Sequence, residues 1–218
     1  MFKDLASRFK DEFHQLERAL FSKAGAGQSQ AVQFTSSHFG EGVTSTTLAL
    51  AWFLASQHSS KEVMVVEANL WQPSFEDIFG LKSEGSLLAV LQDSGSLRQA
   101  IQKPQDIRFS IIPAGHLPVT DSSVSFDLNL DRLKNILAAL KKKYQYILVD
   151  SPPVVPFIDA TSICRMVDGV VLVVESEKTR SEVVDHAIEK LKSEGAQIVG
   201  TILNKREFHI PKRIYRFL

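Results

Sequence analysis

The sequence lacks the features that mark a secreted, membrane-spanning or nucleic-acid-binding protein. Its single cysteine, Cys164, excludes an internal disulfide and is typical of a reducing compartment. No apolar run approaches the roughly 20 residues that span a bilayer, and the N-terminus has no apolar signal-peptide core. The 25 basic and 25 acidic residues balance, so no positive charge excess favours nucleic acid. These absences predict a cytoplasmic protein that is at most peripheral to the inner face of the cell membrane, through a partner.

The order of apolar segments predicts one α/β domain. Continuous apolar runs, typical of buried parallel strands, alternate with helical patterns. Such alternation implies right-handed crossovers and a doubly wound, mostly parallel sheet with helices on both faces. The predicted strands lie at 31–35, 63–67, 109–113, 146–150, 169–174 and 197–203, and the longer predicted helices at 44–54, 128–143 and 179–194. Short helical patterns are expected between 76 and 104, and a loop is expected at 116–127.

The first 30 residues are predicted to precede this domain as a separate element. Apolar residues spaced three and four apart make residues 1–22 an amphipathic helix. Glycine and small polar residues make 23–30 a flexible joint, and the α/β domain occupies 31–218. We expect the apolar face of the helix to pack on the domain or on a partner, and the same face is a candidate for homo-oligomer formation.

A loop shaped for phosphate follows the first predicted strand. Gly40 and Gly42 let the backbone turn tightly between strand and helix, so that backbone N–H groups converge on one point. A phosphate-binding loop (P-loop) would carry a lysine directly after the second glycine to neutralise the β- and γ-phosphates. Val43 stands there instead. The segment therefore has the architecture of a nucleotide site without its main cation, and neither Lys61 nor Lys82 is an obvious substitute.

Polar residues end three of the other predicted strands. Glu67 and Asn69, Asp150, and Asn204 each follow an apolar run, and ligands of open parallel sheets bind beyond such strand ends. Asp150 occupies the position that holds a magnesium-bound water in P-loop proteins, although an aspartate before Pro152 also suits a turn or helix cap. Thr44 has the same two interpretations, as a magnesium ligand or as the cap of its own helix.

These residues resemble the cytoplasmic domain of bacterial tyrosine kinases. The resemblance lies in the P-loop motif at 36–42, the Glu-Ala-Asn-Leu segment at 67–70 with Pro73 and Ser74, and the strand motif at 146–154. It extends from about residue 12 to residue 204, nearly the whole chain. It implies a single-domain, P-loop NTPase-like fold of the deviant ATPase type. It also implies a role in capsular or exopolysaccharide synthesis and export, with a membrane-embedded polysaccharide co-polymerase as partner.

The resemblance also implies a set of site residues. Magnesium would be held by Thr44 and Asp150, Asp150 would be the catalytic residue of an active enzyme, and Asn204 matches an adenine-contacting position. ATP or ADP with magnesium is the implied cofactor, although the changes described below make its binding doubtful. The nucleotide-binding residues are Gly40, Glu41, Gly42, Val43, Thr44, Ser45, Glu67, Asn69 and Asn204.

The chain departs from the family pattern at the phosphate. The family has lysine where Val43 stands, and its Asp-x-Asp-x-Arg motif is replaced by Glu67, Asn69 and Trp71. One lysine, one arginine and one carboxylate are thus lost together, and losing a single transition-state cation slows phosphoryl transfer by about 10³-fold or more. Residues 211–218 hold only Tyr215, where the family kinases have a tyrosine-rich tail, so we expect no such tail here.

The N-terminal helix also departs from the family pattern. Residues 12–18 read Glu-x-x-Gln-x-x-Arg, where family members use Glu-x-x-Arg-x-x-Arg to close a ring.

Three functions are compatible with the sequence. The favoured one is a degenerate kinase-like regulator, a pseudokinase with weak or no ATP turnover. The alternatives are an active tyrosine kinase or ATPase of the same pathway, with a cation supplied from elsewhere, and a partition- or placement-type ATPase switch.

Overall fold

One parallel sheet forms the centre of the molecule. The computed structural model describes residues 2–21, 28–81, 85–117 and 129–206. Its six strands lie in the order β3-β2-β4-β1-β5-β6, and every pairing between them is parallel. They are β1 Gln30–Ser36, β2 Val63–Glu67, β3 Ser110–Ile112, β4 Tyr146–Asp150, β5 Gly169–Glu175 and β6 Ile198–Asn204. The predicted doubly wound parallel sheet is confirmed.

Helices cover both faces of the sheet. On one face, α3 packs against alternate strand residues such as Phe34, Val65 and Leu148, while the opposite face packs against α7, α8 and α9. The helices are α1 Phe2–Arg8, α2 Lys10–Phe21, α3 Val43–Gln57, α4 Phe75–Phe79, α5 Leu87–Leu91, α6 Leu97–Ala100, α7 Leu130–Leu140, α8 Ile158–Cys164 and α9 Ser181–Ser193. No helix in the described ranges is long and apolar enough to cross a membrane.

The N-terminal segment differs from its prediction. The expected single helix is divided at Phe9 into α1 and α2. Backbone hydrogen bonds from Phe9 to Leu5 and from Phe13 to Phe9 carry the chain through the break. Phe13 is buried and stacks on Phe53 of α3, with 5.8 Å between ring centroids. The apolar face therefore packs on the domain of its own chain, one of the two outcomes the sequence predicts.

Helix α3 is apolar on every face because it is covered on both sides. It lies between the sheet on one side and α1 and α2 on the other, so most of its residues are buried. Burying each large apolar side chain contributes roughly 1.5–3 kcal/mol, which fixes α3, and with it the loop that leads into α3, firmly on the sheet.

Several predicted boundaries shift. The predicted helix 128–143 is observed as α7, which ends at Leu140, and residue 128 lies outside the described residues. Most of the predicted joint and loop, 23–27 and 118–127, also falls outside them. Helix α8 was not predicted, because three prolines precede it and its short sequence mixes polar and apolar residues.

Candidate functional site

The loop between β1 and α3 has the backbone shape that phosphate binding requires. Gly40 and Gly42 have φ of 83° and 93°, a left-handed conformation that side chains other than glycine adopt only at a cost. A Cβ at Gly42 would also lie 2.1 Å from the Asn204 side-chain nitrogen. Both glycines are thus required where the sequence placed them, and α3 begins directly after them at Val43.

Glu41 holds the loop from within. Its side chain is 2% exposed and accepts hydrogen bonds from the backbone N–H groups of His38, at 2.9 Å, and Glu175, at 3.3 Å. The Thr179 hydroxyl donates to it as well. The predicted nucleotide contact of Glu41 thus has another observed role, because its carboxylate joins the loop to the end of β5 and the segment before α9.

Asn204, the last residue of β6, and the next residue, Lys205, hold the loop from outside. The Asn204 amide donates to the Glu41 carbonyl at 2.9 Å, and the Lys205 ammonium donates to the Gly40 carbonyl at 2.5 Å. The Lys205 ammonium also lies 3.2 Å from a Glu175 carboxylate oxygen. Sequence reasoning weighed only Lys61 and Lys82 and missed Lys205, whose one signal was its position directly after a predicted strand end.

Lys205 also favours the ionised form of the Glu175 carboxyl. Burial opposes ionisation of the Glu175 carboxyl, but Lys178 and Lys205 beside it bring the pKa of this carboxyl below its ordinary value. Lys205 is therefore paired on both of its sides, with a carbonyl and with a carboxylate. Its ammonium does not replace the lysine missing at Val43, because it sits on a carbonyl of the loop rather than among the N–H groups.

Asp150 is a buried carboxyl. Its residue is 1% exposed, and neither side-chain oxygen has a hydrogen-bond partner among the residues that the structure describes. Burial raises the pKa of Asp150 to about 8; the nearby Thr44 hydroxyl lowers this pKa somewhat, although it forms no hydrogen bond of regular geometry, and the charge of Glu67 raises it. At pH 7 the Asp150 carboxyl is therefore mostly protonated, and a cation bound there would displace its proton.

The Glu67 carboxylate accepts hydrogen bonds from the backbone of its own chain. One carboxylate oxygen accepts from the backbone N–H groups of Ser74, at 2.5 Å, and Phe75, at 2.9 Å, and the other accepts from Ala114 at 2.9 Å. Burial raises the pKa of Glu67, although these hydrogen bonds oppose the shift. The predicted nucleotide contact at Glu67 is thus committed to the turn into α4 and to the end of β3. Asn69 likewise accepts from the Gln72 N–H at 3.2 Å.

An aromatic cluster occupies the position where the resemblance implies an arginine. Trp71 stacks on Phe157, with ring centroids 4.7 Å apart, and Phe39 of the loop meets Phe157 edge-on at 5.3 Å. The Trp71 indole N–H donates to Asp159 at 2.8 Å. Trp71 and Phe39 remain 38% exposed, so the rim of the site is apolar rather than cationic. The sequence showed the loss of the arginine but not the stacking that replaces it.

The arrangement suits magnesium better than it suits a triphosphate. Thr44 and Asp150 are oxygen donors of the kind that magnesium prefers, and the unpartnered oxygens of Asp150 fit such an ion. Within the described ranges no group of three or more histidine, cysteine, aspartate or glutamate residues could hold a metal, so phosphate and water would complete its shell. Loop N–H groups and the start of α3 would attract phosphate, but Val43 adds no charge.

The chain is similar to bacterial tyrosine kinases and to an exopolysaccharide transport protein. It is 28% identical to the tyrosine-protein kinase YwqD of Bacillus subtilis over 180 residues, which cover 83% of this chain and 74% of YwqD. It is 25% identical to the tyrosine-protein kinase CpsD of Streptococcus agalactiae, over 82% of this chain and 76% of CpsD. The succinoglycan biosynthesis transport protein ExoP of Rhizobium meliloti is 22% identical over 93% of this chain and 26% of ExoP.

Solved structures show the same fold. The kinase domain of the Escherichia coli tyrosine kinase ETK matches with a TM-score of 0.80 at 23% identity, over 95% of this chain and 79% of that one. The septum site-determining protein MinD of Pyrococcus horikoshii, solved with Mg-ADP, matches with a TM-score of 0.67 at 23% identity, over 87% of this chain and 76% of that one. A family model described as an AAA domain matches residues 30–199. The chain therefore belongs to the AAA domain family, and its predicted resemblance to bacterial tyrosine kinases is confirmed.

Proposed function

We propose that the chain is a regulator of capsular or exopolysaccharide synthesis and export whose kinase-like site no longer turns over ATP. One observation carries the proposal: the loop keeps its shape through contacts of its own, while the cations that act on phosphate are absent. Glu41, Asn204 and Lys205 hold the loop from three sides. Val43 and Trp71 occupy the two positions where the family pattern has lysine and arginine.

The expected loss of phosphoryl-transfer rate supports a site without ATP turnover. Removing one transition-state cation costs about 10³-fold or more in phosphoryl transfer, and two positions have changed here. The Asp150 carboxyl is mostly protonated at pH 7, so magnesium binding also has to displace a proton. Weak nucleotide binding is compatible with these features, and efficient turnover is not.

The relatives support the proposed pathway and partner. Two tyrosine-protein kinases and a succinoglycan biosynthesis transport protein share most of this chain, and the resemblance implies a membrane-embedded polysaccharide co-polymerase as partner. A regulator of this kind would act by docking to that partner. Its function would then require the folded domain but not phosphoryl transfer.

A complementation experiment tests the proposal. In a strain that lacks this chain, we expect wild type and Asp150→Asn to restore polysaccharide length and amount equally, because asparagine keeps the shape at position 150 but removes the acid. Leu50→Asp, which places a charge in the buried core, serves as the unfolded control and should restore nothing. Loss of polysaccharide with a folded Asp150→Asn protein would show that the site performs chemistry.

A titration of the purified protein with magnesium and ATP addresses the same question in vitro. We expect binding weaker than micromolar, and tighter binding by Val43→Lys than by Val43→Met, which has similar length but no charge. Micromolar binding by wild type, unchanged by Val43→Lys, would favour the active-enzyme alternative.

A further inference from the structure

The aromatic cluster connects the three loops that follow the central strands of the sheet. Phe39 lies in the loop after β1, Trp71 in the segment after β2, and Phe157 in the segment after β4. Phe157 is the centre of the cluster, because its ring contacts both of the others. The three strands are neighbours in the order β2-β4-β1, and Asp150 ends the middle one. The cluster therefore spans the edge of the sheet at the strand end that carries Asp150.

The backbone before Phe157 fixes the cluster beside the P-loop. The N–H of Val154 donates to the Ser36 carbonyl at 2.8 Å, and the N–H of Val155 donates to the Ser37 carbonyl at 3.3 Å. Ser37 belongs to the P-loop motif and is fully buried. Phe157 thus follows a segment that is hydrogen-bonded to the start of the loop, so the cluster cannot move away from the loop without breaking these bonds.

Trp71 is held in the cluster by two contacts of different kinds. Its ring stacks on Phe157 with the two ring planes 25° apart, and its indole N–H donates to Asp159 at 2.8 Å. The second contact places a carboxylate at the edge of the cluster. Because Trp71 stands where the family pattern has an arginine, a cation at this place is replaced by apolar surface next to a negative charge.

The proposed magnesium ligands indicate which end of a bound polyphosphate would meet the cluster. Thr44 lies near Asp150, and magnesium in P-loop proteins bridges the β- and γ-phosphates. Asp150 lies on the β4 side of β1, whereas Asn204 and Lys205 hold the loop from the β6 side. The terminal phosphate of a triphosphate would therefore lie on the β4 side, which is the side of the aromatic cluster.

We propose that the aromatic cluster of Phe39, Trp71 and Phe157 makes the site specific for a nucleoside diphosphate by excluding the terminal phosphate of a triphosphate. A terminal phosphate on the β4 side would lose water against apolar rings and would approach the Asp159 carboxylate, and both effects are unfavourable. Val43 adds no positive charge that would offset them. A diphosphate is one phosphate shorter and leaves the cluster intact.

This specificity would place the chain after a reaction that consumes ATP. A nucleoside diphosphate is the product of phosphoryl transfer from a triphosphate, so a separate kinase or ATPase must supply the ligand. The inference rests on the proposed function only for a site that still accepts nucleotide phosphates.

Isothermal titration calorimetry of the full chain with ADP and with the non-hydrolysable ATP analogue AMP-PNP, each in magnesium, tests the proposal. We expect wild type to bind ADP at least about 10-fold more tightly than AMP-PNP, since a phosphate that loses water without gaining a partner binds less well. Trp71→Ala should bring the two affinities within about 3-fold by tightening AMP-PNP alone, and Trp71→Arg should tighten AMP-PNP further.

Ile78→Ala is the matched control for these substitutions. It removes an apolar side chain of similar exposure outside the cluster, so the wild-type ratio of affinities should remain. Each substitution is also made in Val43→Lys, to raise the affinity for both nucleotides if wild type binds them weakly.

Tryptophan fluorescence gives a second readout, which a purely structural role of the cluster would not change. The chain has two tryptophans, so in Trp52→Phe the emission comes from Trp71 alone. Saturating AMP-PNP should shift this emission because the stack on Phe157 has to open, and saturating ADP should leave it unchanged.

Three results would each overturn the proposal: AMP-PNP binding by wild type as tight as ADP binding, an ADP preference that Trp71→Ala leaves unchanged, or no binding of either nucleotide even by Val43→Lys. Failure of the proposed function gives a different result. Turnover of ATP by a chain that still prefers ADP would contradict the silent site alone, whereas equal binding of ADP and AMP-PNP without turnover would contradict the specificity alone.

Discussion

Glu67 and Asp150 stand opposite each other on paired strands β2 and β4, yet within the described part of the chain only Glu67 has hydrogen-bond donors. Two neighbouring buried carboxylates repel each other, so one of them holds a proton. The donors on Glu67 favour its ionised form, and the bare environment of Asp150 favours the protonated one. The two carboxyls therefore differ in role: Glu67 joins the start of α4 to the segment after β3 through its hydrogen bonds, whereas Asp150 is the carboxyl that we propose as a magnesium ligand.

The protonated Asp150 makes stability depend on pH. Its folded-state pKa of about 8 lies above the ordinary value of 3.8, so the folded protein binds more protons than the unfolded chain between these values. The contribution of Asp150 to the free energy of unfolding should therefore fall as pH rises from about 4 to about 8. Asp150→Asn cannot titrate, so its stability advantage over wild type should grow across this range.

Urea unfolding of both proteins from pH 5 to pH 9, without magnesium, measures this difference. Asp131→Asn, a change at an exposed aspartate of α7, is the matched control and should parallel wild type. Parallel curves for wild type and Asp150→Asn would mean that Asp150 is already ionised in the folded protein.

Gly42 and Asn204 should be energetically coupled. Gly42→Ala adds a Cβ at a left-handed φ and 2.1 Å from the Asn204 nitrogen, so we expect it to lower the free energy of unfolding by about 2 kcal/mol or more. Asn204→Ala removes the second obstacle but not the first. In a double-mutant cycle, the second change should therefore recover about 1 kcal/mol of the loss from the first. Simple additivity of the two changes would show that the loop does not pack against Asn204.

The N-terminal helices should contribute to the stability of the domain. Phe13 is buried against Phe53, so Phe13→Ala should lower the free energy of unfolding by about 3 kcal/mol or more. Gln15→Ala, two residues further along the same helix and exposed, should change it by less than about 0.5 kcal/mol. Chemical denaturation measures both. A loss below about 1 kcal/mol for Phe13→Ala would mean that α2 is not docked on α3.

The parts of the fold that depend on local pattern were predictable. The bounds of β2 and β4 match their predictions, because a short apolar run that ends in an acid marks a buried strand clearly. Helix α8 was missed, since its seven residues carry no clear period after a run of prolines. The break at Phe9 was missed too, because the apolar spacing runs through it unchanged.

The site was harder to predict than the fold, because it depends on contacts between residues that are distant in the sequence. The loop could be recognised from its glycines, and the convergence of strand ends from the topology. Lys205 could not, because 165 positions separate it from Gly40 and no motif connects them. Part of the role of Glu67 was hidden for the same reason: its donor Ala114 is 47 positions away and lies beside it only after β2 and β3 have paired.

The most direct test of the central claim is steady-state phosphate release from ATP with magnesium, measured for wild type, Val43→Lys and Val43→Met. A silent site predicts no release above background from wild type or Val43→Met. Val43→Lys should release more than either, because it returns the cation to the loop. Steady release by wild type at a rate equal to that of Val43→Lys would contradict the claim that the missing lysine has silenced the site.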